Sequence, residues 1–215
     1  MDYSPLYLSI KLSAISTVIL MCVATPISWV LARRQFPGKL LVESLAGLPL
    51  VLPPTVLGFY LLMIMGPQGL GDFWRSMTGS TLVFTFAGIV IAACLHSLPF
   101  AMQPLKSTFE KLDGRLLESA YVLGCSPFEA FFKVVLPNTV GGLVAAAILA
   151  FAHTMGEFGV ILMVGGSIPG KTKVASIAIY EAVESLQYDV AWKLSLALLI
   201  LSYLILVIMN AIKGS

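Results

Sequence analysis

Residues 113–137 read DGRLLESAYVLGCSPFEAFFKVVLP and lie between two long apolar runs. Asp113 is placed to cap a short helix, and Gly124 to end it at the C′ position, where left-handed backbone favours glycine. Ser126, Pro127 and Glu129 then spell a capping box with proline at the first helical position. The new helix presents Phe128, Phe131, Phe132 and Val135 before stopping near Pro137. The segment is therefore two short helices joined at a glycine corner. Its apolar face needs burial, either against the protein's own apolar runs or against a partner.

Working outward, the flanks fix the class. A membrane-spanning helix needs about 20 mostly apolar residues, and five stretches qualify, at 6–32, 40–65, 81–102, 139–164 and 190–212. None alternates inside and outside like a barrel strand, so the expectation is an all-α membrane protein with five spans. Composition agrees. Only 11% of the 215 residues are charged, against about 25% in an ordinary soluble domain, and the mean hydropathy is +0.94. The chain reads as a single domain over 1–215, with the longest polar stretch at 104–137. A net charge of +2 without a basic tract gives no sign of nucleic acid binding. Cys22, Cys94 and Cys125 are odd in number and scattered, which excludes a disulfide framework. No basic region precedes the first apolar run, so no cleaved signal peptide is expected.

Lysine and arginine placement sets the expected orientation. Arg33, Arg34, Lys39, Lys106, Lys111, Arg115, Lys133 and Lys213 fall on one side, against Lys11, Arg75, Lys171, Lys173 and Lys193 on the other. The positive-inside rule puts the N-terminus outside and the C-terminus in the cytoplasm.

Inside the spans, Pro49, Pro53 and Pro54 each remove a backbone donor from the second apolar run. A packing kink and a pathway-lining kink both fit. His153 and Glu157 are four apart and would share a helix face. They read as a structural hydrogen-bonded pair or as residues lining the pathway, and two ligands are too few for a metal site. His96 reads as a lone packing residue. Residues 165–172, GGSIPGKT, match the phosphate-loop pattern, but an apolar span precedes them where a buried strand is needed, so no nucleotide site is expected. Spans two to four carry no lysine or arginine, and an oxyanion site would want several cationic donors.

The motif Glu118-Ser119-Ala120, three residues, Gly124, nine residues, Val134-x-Leu136-Pro137 resembles the E-A-A loop of the permeases of ATP-driven, binding-protein-dependent importers. Ser119 and Val134 replace alanine and isoleucine of that pattern. The runs at 36–39 (FPGK), 48–54 (LPLVLPP), 156–159 (GEFG) and 168–170 (IPG) are similar to molybdate permeases, and the likeness covers nearly the whole chain. His153 stands where those permeases carry arginine, so no role resting on that charge transfers. The resemblance implies a type I importer fold with 104–137 as the coupling loop, and a polar contact for Glu118 with an ATPase subunit. It implies a homodimer in the bacterial cytoplasmic (inner) membrane, surrounded by lipid bilayer. Two ATPase subunits would bind on the cytoplasmic side and a molybdate-binding protein outside. The subunit itself would be non-catalytic and free of cofactors and metals, with ATP and Mg on the partner ATPase. Sulfate, thiosulfate and tungstate are the alternative substrates within the class. A proton-coupled carrier using His153 and Glu157 is the alternative outside it, and it leaves the loop motif unexplained.

Topology is directly testable. A membrane-impermeant thiol reagent should label Cys125 only after cells are opened, whereas a cysteine placed at Ser167 should be labelled in intact cells. The reverse pattern would overturn the orientation.

Overall fold

The first apolar run forms one helix of 30 residues, α1 (Ser4–Arg33), in a computed structural model that describes residues 3–213. It is followed by α2 (Lys39–Gly47), a 3-10 turn at Leu48–Leu50, α3 (Pro54–Met65), α4 (Leu70–Thr78) and α5 (Phe86–Lys111). Next come α6 (Gly114–Val122), α7 (Pro127–Ala130), a π-turn at Phe131–Val135 and α8 (Leu136–Asn138). The chain continues through α9 (Val140–Gly156), α10 (Gly159–Gly165), α11 (Ala175–Glu184) and α12 (Tyr188–Lys213). No strand occurs among the described residues.

Among the described residues three helices, α1, α5 and α12, are each long and apolar enough to cross a membrane, and the number is five when each of two bent pairs is taken as one span. The second expected span is one of these pairs. It is not a continuous helix over 40–65 but two limbs bent by 112°. The break is proline chemistry, because Pro53 is extended and Pro54 restarts the helix at its first position. The fourth expected span is also corrected. Its helix stops at Gly156 and restarts at Gly159, and below Thr139 the chain bends by 76°. The first part of the polar stretch at 104–137 is helical, because α5 continues to Lys111.

α1 packs along α5 and α9 through a buried stripe that includes Ser9, Ser13, Ser16, Ala24, Thr25 and Ser28. Small side chains let helix backbones approach closely, which matters where lipid supplies no hydrophobic drive between helices. Ser9 also accepts the backbone N–H of Ala175 (2.8 Å), fixing the start of α11. At the end where 113–138 lies, Trp29 meets Phe109 edge-on at 5.4 Å and Phe131 at 5.6 Å. Arg33 lies over the Trp29 ring and donates to the Leu112 carbonyl (2.5 Å). Each such aromatic pair adds about 0.5–1.5 kcal/mol beyond its area burial. The segment is thereby fastened to α1 and α5.

α3 and α10 touch at Gly58, where a Cβ would lie 2.8 Å from Met163 Cβ and 3.1 Å from Val160 Cα. Overpacking such a contact costs about 1–3 kcal/mol. Gly58→Val should therefore lower the melting temperature of the detergent-solubilised protein by several degrees. An unchanged melting temperature would contradict this packing.

Candidate functional site

Hydrogen bonds at both ends of α6 define the corner at Gly124. Asp113 caps α6 by accepting from the Arg115 backbone (3.0 Å). At the other end Cys125 N–H reaches the Ala120 carbonyl (3.0 Å) and Gly124 N–H reaches Tyr121 (3.0 Å), the paired pattern of a Schellman stop. Gly124 has φ +83° with nothing near its missing Cβ. Only backbone strain bars other residues there. The four-residue step from Ala120 to Gly124 is thus the step from the carbonyl that Cys125 N–H caps to the left-handed residue that turns the chain back for that bond. Ala120 is also buried, at 5% exposure, so a larger side chain has no room.

Ser126 and Glu129 form the expected capping box. The Glu129 backbone donates to the Ser126 hydroxyl (3.3 Å), and the Ser126 backbone donates to the Glu129 carboxylate (3.0 Å). That backbone N–H foremost, then Lys133, lowers the Glu129 pKa from 4.5 to about 2. A depressed carboxylate stabilises the fold above its unfolded value. The capping contribution is therefore whole above about 4.5 and fades as pH falls through about 2.

The π-turn sits just before Pro137, whose ring would strike the Lys133 carbonyl in a regular helix. Side chains answer the carbonyls this leaves. Asn138 donates to Val134 (2.7 Å) and Thr139 to Val135 (2.8 Å). The motif residues consequently divide by burial. Ala120 is buried and Val134 and Leu136 are half-buried, whereas Glu118, Ser119, Gly124 and Pro137 are exposed. Ser119 donates to the Arg115 carbonyl, and the Glu118 carboxylate makes no hydrogen bond or ion pair among the described residues. The aromatic face divides as well. Phe131 and Val135 pack on the spans, leaving Phe128 and Phe132 exposed beside Tyr121, Val122 and Leu123.

The expected His153–Glu157 pair is replaced by a different one. α9 ends at Gly156 and Glu157 is extended, so the two side chains do not share a helix face. Glu157 instead meets His96 Nε2 at 3.0 Å and accepts the Val160 N–H (3.0 Å), capping α10. Its carbonyl accepts from Ser176 (2.7 Å). His153 Nδ1 pairs with Ser97 Oγ (2.9 Å), and Phe100 stacks on its ring at 3.8 Å. His96 is therefore not a lone packing residue. Its pairing follows from the break after Gly156, which linear spacing does not reveal. Of the prolines singled out, Pro49 lies in the 3-10 turn and Pro53 and Pro54 make the bend.

Residues 165–172 form a turn between α10 and α11, with no strand before it. The Thr172 hydroxyl, which would hold Mg in a phosphate loop, is spent on the Gly165 carbonyl (2.7 Å) and on Ile168 N–H (3.1 Å). Lys173 is paired with Glu181.

The capping box yields a test at one residue. Loss of an N-cap hydroxyl costs about 1 kcal/mol. Ser126→Ala should speed backbone hydrogen exchange over 126–131 about fivefold, and unchanged exchange would contradict the cap.

Known proteins bear on this geometry. The family described as "Binding-protein-dependent transport system inner membrane component" matches residues 24–214. The molybdenum transport system permease protein ModB of Azotobacter vinelandii is 46% identical over 206 residues, covering 95% of this chain and 91% of that protein. The sulfate transport system permease protein CysT of Escherichia coli (strain K12) is 32% identical over 187 residues, 87% of this chain and 68% of that one. Among solved structures, a bacterial ABC transporter involved in the import of the acidic polysaccharide alginate superposes with a TM-score of 0.80. The identity is 16%, over 98% of this chain and 78% of that one. The alginate transporter in complex with an alginate pentasaccharide-bound periplasmic protein gives 0.77, at 16% identity over 98% and 77% of the two chains. The type I importer permease fold is thereby shown, and the chain belongs to the family of inner membrane components of binding-protein-dependent transport systems.

Proposed function

We propose that this chain is the molybdate-translocating permease of an ATP-driven importer. The observation that carries the reading is 46% identity to a molybdenum permease over almost the full length of both proteins. Residues 1–215 act as one permease domain and pair as a homodimer around the pathway. Two ATPase subunits dock on the 113–138 segment, where Tyr121, Val122, Leu123, Phe128 and Phe132 are exposed and need cover in the cytoplasm. Glu118 supplies a polar contact there, and ATP and Mg stay on the ATPase. An extracytoplasmic molybdate-binding protein delivers the anion at the opposite end, where the N-terminus lies. The C-terminus is cytoplasmic. ATP binding and hydrolysis bias two states with access to opposite sides of the membrane.

Sulfate is the second reading, favoured by the likeness to CysT at lower identity. Molybdate, tungstate and sulfate are all tetrahedral dianions, so the permease alone discriminates poorly. Cells lacking the gene should lose molybdoenzyme activity, regain it with excess molybdate and keep sulfate assimilation. Sulfur auxotrophy with intact molybdoenzymes would reassign the substrate.

Coupling is tested at the corner. Gly124→Val places a β-branched residue at φ +83°, which such residues resist. The variant should insert in the membrane yet lose transport and substrate-stimulated ATP hydrolysis by about tenfold or more, the equivalent of 1.4 kcal/mol. Full activity would count against the coupling role. A protonophore at constant ATP should leave uptake unchanged, and collapse of uptake would favour the proton-coupled carrier.

A further inference from the structure

Three side chains capable of binding metal converge where α9 breaks from α10. One ligand atom from each of His96, His153 and Glu157 lies within 4.8 Å of the others, close enough for one cation to bridge after small side-chain rotations. His96 and Glu157 are 4% and 7% exposed.

The charge at this place is unbalanced. Residues 40–65, 81–102 and 139–164 contain no lysine or arginine, and among the described residues neither type forms an ion pair with the Glu157 carboxylate. His96 Nε2 meets the Glu157 carboxylate at 3.0 Å, and a carboxylate in the membrane interior is costly unless its charge is compensated. His96 Nδ1 is meanwhile buried with no hydrogen-bond partner. A buried carboxylate and an unpartnered buried imidazole nitrogen thus leave a place for a cation.

In its Nδ1–H tautomer His153 is held as a ligand would be. Its Nδ1 pairs with Ser97 Oγ (2.9 Å), which in turn pairs with Thr154 Oγ1 (2.9 Å). An imidazole whose Nδ1–H is anchored by an oxygen presents its Nε2 lone pair in a fixed direction, as ligating histidines do. Two imidazole nitrogens and one carboxylate oxygen suit borderline divalent ions. They match the three-ligand sites that leave a fourth position to water.

We infer that His96, His153 and Glu157 form an intramembrane site for a divalent transition metal of the Zn²⁺ class. The bound ion ties α5 to the break between α9 and α10.

The test uses the permease–ATPase complex with its affinity tag removed and Cys22, Cys94 and Cys125 replaced by alanine. Co²⁺ serves as the spectroscopic probe. Titration should produce visible d–d bands at one Co²⁺ per permease chain, and Zn²⁺ should bleach them. His153→Arg removes a ligand and supplies the missing cation, so that variant should elute as a single species and bind Co²⁺ at least about tenfold more weakly. His96→Gln should weaken binding likewise. Wild-type protein that gives no d–d bands at saturating Co²⁺ would overturn the site, as would a His153→Arg variant that binds as tightly as wild type. If His96→Gln fails to fold, the wild-type and His153→Arg titrations still decide.

Discussion

Bilayer hydrocarbon supplies no hydrogen-bond partners, so a helix broken within a span has to be repaired from inside the protein. Glu157 makes that repair. Its carboxylate caps α10 through Val160 and meets His96 on α5, while its carbonyl takes the Ser176 hydroxyl of α11. Four helices therefore meet at the residue that ends α9. With the break held there, α9 lies along α1 and α5, and α10 lies against α3. A permease has to change shape without exposing these groups to lipid, and a network centred on one residue confines the change to one place.

The opposite end is built for firmness. Trp29 contacts Phe109 and Phe131 together, and Arg33 holds the Leu112 carbonyl. Any displacement of the 113–138 segment is passed to α1 and α5 through rings and a charge-assisted hydrogen bond, not through a slack loop. The capping box and the Schellman stop stiffen the segment itself, so a push on its exposed aromatic face moves it as a body.

How much of this was legible in the sequence follows from the range of each interaction. The Asp113 cap, the Gly124 corner and the Ser126–Glu129 box were readable because each is settled within about six residues. The five apolar runs were readable from length, but the 112° bend after Leu50 was not, since proline marks a break without setting its angle. The direct pairing of His153 with Glu157 on one helix face failed because the four-residue rule assumes an unbroken helix. The partner of Glu157 lies 61 positions earlier in the chain, at His96, and no local pattern points to it. The aromatic face was seen as one surface. Only packing reveals that Phe131 turns inward to Trp29 while Phe128 and Phe132 stay outside.

The central claim is that this chain moves molybdate only when an ATPase acts on its 113–138 segment. The direct measurement is radiolabelled molybdate uptake into proteoliposomes holding the permease and its ATPase, with ATP and Mg sealed inside and the binding protein outside. The account predicts uptake that needs all three components and vanishes with a non-hydrolysable nucleotide. Equal uptake by the permease alone, driven by a proton gradient, would contradict it.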